Sequence, residues 1–80
     1  MNAKQYSDFI EFLESHAEGR RENELEDDAL ALETAAEQLR AGKITIDTAL
    51  ACYDDRDSVL CLLEQDDADL YSAVVDYINN

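Results

Sequence analysis

The chain has no proline and no tryptophan, and its only glycines are Gly19 and Gly42. Without proline, nothing removes a backbone donor or forces a kink inside a helix. The two glycines are then the natural places for helices to stop. Two cysteines, Cys52 and Cys61, are too few for a disulfide framework. Lying in apolar helical runs, they read as free buried thiols of a reducing compartment. A single histidine, His16, leaves little material for a Ser/His/Asp or Cys/His catalytic group. Placed near the end of the first helix, it reads as a partner for the last carbonyls there. No stretch approaches the roughly 18 apolar residues of a membrane span. The N-terminus, MNAKQYSDF, lacks an apolar signal core. These absences predict a soluble, cytoplasmic protein that is not an enzyme and needs no cofactor.

Basic residues are scarce as well. Six Lys and Arg face twenty Asp and Glu, for a formal charge of −14 and a pI near 4.1. Such a chain is repelled by bare nucleic acid and by anionic membranes. Its expected partner is a basic protein surface, and a homodimer is a further arrangement open to it. A solvated halophilic surface is the competing explanation of the charge.

What is present is helical patterning. The 80 residues are 46% hydrophobic, which suffices for the core of one small domain, residues 1–80. Asn2 and Gln5 form a capping box for a helix over about residues 3–17. Tyr6, Phe9, Ile10 and Leu13 make its buried stripe, and Gly19 is its expected end. Asn23 and Glu26 offer a second capping box. Leu25, Ala29, Leu32, Ala36 and Leu39 then run as a helix seam, broadened by Leu30 and Ala35, to about residue 41. Gly42 is placed for a left-handed cap, with Ile44 behind it. Thr45 opens a short third helix to about Tyr53, whose inner face would carry Ile46, Ala49, Leu50 and Tyr53. Asp54 or Asp55 caps a fourth helix containing Val59, Leu60, Leu62 and Leu63. Asp66 or Asp67 caps a fifth, facing the core with Leu70, Tyr71, Val74, Val75 and Ile78. The expected fold is all-α, a compact bundle of four to five short helices.

Metal chemistry finds little support. Asp55, Asp57 and Asp66 match an EF-hand frame at its first, third and twelfth positions. Leu60, however, stands where that loop needs glycine, and residues 58–63 read as helix. Zinc lacks ligands. Phosphate cradles and basic nucleic-acid-reading stripes are likewise missing.

The remaining signal is the carboxylates. Asp8, Glu11 and Glu18 share one side of the first helix, and Glu26, Glu33 and Glu37 line a flank of the second. Carboxylates one turn apart stand about 5–6 Å apart at Cβ, a spacing of the same order as phosphates on a nucleic-acid strand. Around the later joints lie Asp54, Asp55, Asp57, Asp66, Asp67 and Asp69. Capping uses about one acid per helix start, so Asp54, Asp57, Asp66 and Asp69 are in surplus. These twelve acids are the candidate contact set, with Tyr53, Tyr71 or Tyr77 as aromatic anchors. They point to a non-enzymatic inhibitor that mimics nucleic-acid charge, of the kind mobile elements use against host defence nucleases (anti-CRISPR or anti-restriction proteins). The alternative is a small accessory subunit or an immunity or antitoxin partner that binds through apolar surface, with Phe12, Leu30, Leu62 and Tyr77 exposed.

LETAAEQLRAGKITIDTALACYDD, residues 32–55, resembles the helical hairpin of the exonuclease VII small subunit. The matching positions are Leu32, Glu33, Leu39, Gly42, Ile44, Ile46, Asp47, Ala49, Leu50, Tyr53 and Asp54. The resemblance implies an acidic all-α accessory subunit without catalytic residues, packed on a large nuclease subunit. The extra N-terminal helix and the break at DDRD, residues 54–57, depart from that family.

Overall fold

Helix starts are where the sequence speaks most directly. In the computed structural model, which describes residues 1–52 and 55–79, Asn2 and Gln5 close the expected capping box. The Gln5 N–H donates to the Asn2 side chain at 2.8 Å, and the Asn2 N–H donates to the Gln5 side chain at 2.9 Å. Helix α1 then runs Ala3–Glu22, longer than expected, with Gly19 inside it. Helical hydrogen bonding along a stable hairpin outweighs the modest cost of a mid-helix glycine.

The turn that ends α1 uses residues given another role by sequence. Asn23 is the C-cap of α1, and its side-chain amide donates to the Gly19 carbonyl. It therefore does not cap the following helix. Glu24 adopts a left-handed φ of 64°. The Leu25 N–H reaches back to the Arg20 carbonyl and the Glu24 N–H to that of Arg21, the paired bonds of a Schellman motif. The chain thus reverses within three residues.

Helix α2, Glu26–Arg40, has no side-chain cap. Glu26, Asp27 and Asp28 instead crowd its first turn, where the helix dipole favours negative charge. It ends as expected at Gly42, with φ 72° and a second Schellman pair from Gly42 to Leu39 and from Lys43 to Gln38. Thr45 caps α3, Ile46–Leu50, accepting from the Thr48 N–H. Asp55 caps α4, Arg56–Asp66, and the Asp67 carboxylate accepts from Leu70 at the start of α5, Ala68–Asn79. Tyr53, expected on the α3 face, and Asp54, the alternative cap of α4, lie outside the described residues. The break expected at residues 54–57 is described from Asp55 on, where Asp55 is extended and α4 starts at Arg56.

All five helices described are α, with no strand among the described residues. Helices α1 and α2 form an antiparallel hairpin with the most extensive packing, and α3, α4 and α5 close over it. The Cα radius of gyration, 11.6 Å, equals the roughly 12 Å of a well-packed chain this long. Phe9, Leu13, Leu32, Leu39, Ile46, Leu50, Val59, Leu63 and Val74 are fully buried, each contributing about 1.5–3 kcal/mol. Ala29, Ala35 and Ala36 are buried on α2 and let α1 approach closely. The Tyr6 hydroxyl crosses the hairpin to donate to the Leu39 carbonyl at 2.8 Å.

Several apolar expectations change. Leu25, at the turn, is 41% exposed, and Leu30 is 61% exposed. Leu30 follows Ala29 by about 100° of helix rotation, which carries it off the stripe of Ala29, Leu32, Ala36 and Leu39. Conversely, Phe12 is buried, stacked 6.0 Å from Phe9, and is no surplus surface residue. Leu62 is only half-buried, packed on the edge of the core.

Candidate functional site

Helix geometry places Asp8, Glu11 and Glu18 on the outer ridge of α1, as the spacing predicts. Glu22, four residues beyond Glu18 and exposed, extends the ridge. That position was legible from the same spacing but was not included. From Asp8 to Glu22 the ridge covers about 21 Å at roughly 1.5 Å per residue. Lys4 pairs with Asp8 at 3.0 Å. Among the described residues, Glu11, Glu18 and Glu22 make no ion pair.

The ridge continues onto a distant part of the chain. Asp66 and Asp67, at the joint between α4 and α5, face Asp8 and Glu11 across a shallow hollow floored by Phe12 and Leu70. Asp67 and Glu11, together with Asp8, hold the Lys4 ammonium above its ordinary pKa, with the direct Asp8 hydrogen bond the main cause. Two acidic clusters more than fifty residues apart thus form one face.

The expected row on α2 is different. Arg21, from the end of α1, bonds Glu33 and also Glu26 at 3.3 Å. Its hydrogen bond holds the Glu33 carboxyl below the usual carboxylate range. Of that row only Glu37 has no ion-pair partner among the described residues. Arg40 grips Glu14 with two bonds, at 3.0 and 3.3 Å. Arg21 thus offsets the charge of the α2 row, and Arg40 that of Glu14, which lies one turn from Glu11 and Glu18 at the α2 edge of the ridge.

The joints divide similarly. Asp55 is engaged as a cap: the Ser58 N–H donates to it at 2.7 Å and keeps its carboxyl below the ordinary range. Asp57 is exposed at the start of α4, about 14 Å along the helix from Asp66. Asp69 is exposed in the first turn of α5. The eleven candidate acids among the described residues therefore do not make a single site, and Asp54 lies outside them.

His16 is not at a helix end. It sits within α1, its ring edge-on to Phe12 at 4.5 Å, because the helix continues past Gly19. Burial pushes its pKa down, Asp66 raises it and Arg20 lowers it further. Cys61 is exposed and Cys52 half-buried, so neither is a buried core thiol. Tyr77 is 49% exposed and Tyr71 half-buried. Tyr53 lies outside the described residues.

A second feature lies on the opposite flank of α2. There a groove of about 500 Å³ runs between α2 and α3, walled by Leu30, Ala31, Ala35, Ile44, Ala51 and Cys52. Among the described residues Asp27 is the one charged residue on its wall. The sequence holds its residues in separate helices and does not place them together. No helix of the described residues is long and apolar enough to cross a membrane. Comparisons with protein-family profiles, with curated proteins and with solved structures return no match to this chain.

Proposed function

We propose that this is a non-enzymatic acidic protein that occupies the basic, nucleic-acid-binding surface of a partner protein and so inhibits it. One observation carries the reading. The outer ridge of α1 bears Asp8, Glu11, Glu18 and Glu22 and is continued by Asp66 and Asp67, and among the described residues Glu11, Glu18 and Glu22 make no ion pair, Arg21 being bound to Glu26 and Glu33 and Arg40 to Glu14.

Carboxylates in such a row attract the same lysines and arginines that neutralise phosphates. Binding would release the partner's associated anions and exclude its nucleic acid. Steering by the −14 net charge would speed the encounter. An anti-defence inhibitor carried by a mobile element is the setting that suits such a small acidic bundle.

The test uses the intact chain immobilised in bacterial lysate, with short duplex DNA as competitor. Captured proteins should be displaced by the duplex. Their affinity should fall on the order of 10³-fold between about 50 and 200 mM salt, as for contacts neutralising six or more charges. Reversing Glu11, Glu18 and Glu22 to lysine should abolish capture while leaving the circular dichroism melt cooperative. Capture indifferent to duplex, salt and these reversals would end the proposal.

A second reading has its own support in the apolar groove beside Leu30. It is an accessory or immunity-type subunit held through apolar surface, in line with the resemblance of residues 32–55 to the exonuclease VII small subunit. It predicts a hetero-oligomer whose stability ignores salt.

A further inference from the structure

The groove between α2 and α3 is unlike the rest of this surface. Almost a third of the chain is charged, yet among the described residues the groove wall carries one charge, at Asp27. Its outer lip is Leu30, the most exposed of the large hydrophobic residues described, at 61%. An exposed leucine costs free energy in water, and beside an open apolar channel it extends a patch that another molecule can cover.

The surroundings of Leu30 decide what that molecule is. On a helix, residues three and four away are nearest neighbours. For Leu30 these are Glu26, Asp27, Glu33 and Thr34, and Glu37 stands two turns on. Three carboxylates therefore border the leucine, with Glu37 beyond them, and Arg21 is the guanidinium bound to Glu26 and Glu33. Beyond the groove's end, Glu24 and Asp28 flank the turn into α2 with Glu26 and Asp27. An apolar strip bordered by acids is complementary to an apolar strip bordered by bases. An acidic partner or a second copy of this −14 chain would bring carboxylate against carboxylate.

We propose that the α2–α3 groove is the docking site for a cationic amphipathic helix of the partner protein. Its apolar residues, spaced i, i+3, i+4 and i+7, lie against Leu30, Ala31, Ile44 and Cys52. Its flanking lysines and arginines meet Asp27 and Glu37. The two-helix wall gives the length, the leucine lip gives the anchor, and the acids give the preference for basic sequences. This rests on the partner being cationic, and it supplies what the α1 ridge lacks, an apolar contact able to discriminate among basic proteins.

The experiment uses the whole chain and two synthetic peptides of identical leucine and lysine composition. One has its leucines at i, i+3, i+4 and i+7, and the other has them scrambled so that no apolar face forms. Binding is measured by calorimetry at low and high salt and mapped by amide chemical shifts. The amphipathic peptide should bind about tenfold or more tighter than the scramble, the ratio expected for burying one leucine side chain. Shifts should centre on Leu30, Ala31, Ile44 and Cys52. Leu30→Ser, at an exposed position, should remove that preference with the fold intact, and Asp27→Asn with Glu37→Gln should weaken binding and flatten its salt dependence.

Equal binding of both peptides, unaffected by Leu30→Ser, would overturn the groove while leaving a cationic partner standing. No binding of either peptide at low salt would overturn both. Salt-independent binding unchanged by Asp27→Asn and Glu37→Gln would make the groove a general apolar site and end this inference. So would a dimer in sedimentation that Leu30→Ser dissolves, since the occupant would then be a second copy.

Discussion

Gly19 and Gly42 were both expected to end helices, and the backbone separates them. Gly19 sits inside α1, and an added Cβ would meet nothing within 4 Å. Gly42 has equal space but a φ of +72°, where any other L-residue pays a backbone penalty. Alanine at the two positions should therefore act in opposite directions. Gly19→Ala should stabilise by about 0.5–1 kcal/mol through the gain in helix propensity. Gly42→Ala should destabilise by about 1 kcal/mol. Thermal melts resolve this, because about 1 kcal/mol moves the midpoint by roughly 4–8 °C in a chain this size. Equal effects at the two sites would show that the second Schellman turn is not what holds Gly42. Glu24 occupies the left-handed position of the first turn without glycine's freedom, and only the chain reversal from α1 to α2 accounts for it.

At the scale of elements, the α1–α2 hairpin organises everything else. Its two arginine clamps are exposed, and exposed ion pairs add little to stability. The buried stripes of both helices supply most of the cohesion. Tyr6 contributes a directional contact, since its hydroxyl satisfies the Leu39 carbonyl near the end of α2. Tyr6→Phe keeps the ring and removes that bond, so it should cost about 0.5–1.5 kcal/mol in denaturant unfolding with an unchanged slope. A cost near zero would mean that the Gly42 N–H, which also donates to this carbonyl, satisfies it alone. Much of each element was legible in sequence. The caps at Asn2, Thr45, Asp55 and Asp67 and the stripe of Ala29, Leu32, Ala36 and Leu39 depend on neighbours within one or two turns. The turn at 23–25 was not legible, because Asn23 suits either the end of one helix or the start of the next. Only the docking of α2 on α1 selects between them.

For the whole molecule, charge is the dominant unusual term. Five ion pairs are formed among the described residues, against a net charge of −14. Repulsion among the remaining carboxylates should outweigh what the exposed pairs contribute. The melting temperature should consequently rise as sodium chloride shortens the screening length from about 10 Å at 0.1 M to about 3 Å at 1 M. A melt that falls with salt would assign the ion pairs the larger share. A chain that folds only in molar salt would point to halophilic adaptation rather than to a cationic partner.

Amino-acid order by itself determined the helices, most of their caps, the core stripe and the excess of acid, because these follow from local hydrogen bonding, periodicity and composition. Tertiary structure decided which acids gain an arginine partner across the hairpin. Arg21 and Arg40 reach Glu33 and Glu14 only because α1 and α2 are neighbours, and Asp66 and Asp67 join the α1 ridge only because the α4–α5 joint folds against it. The same packing leaves Leu30 at the lip of a groove, since burial depends on which helix arrives to cover a face, and no helix of the described residues arrives there.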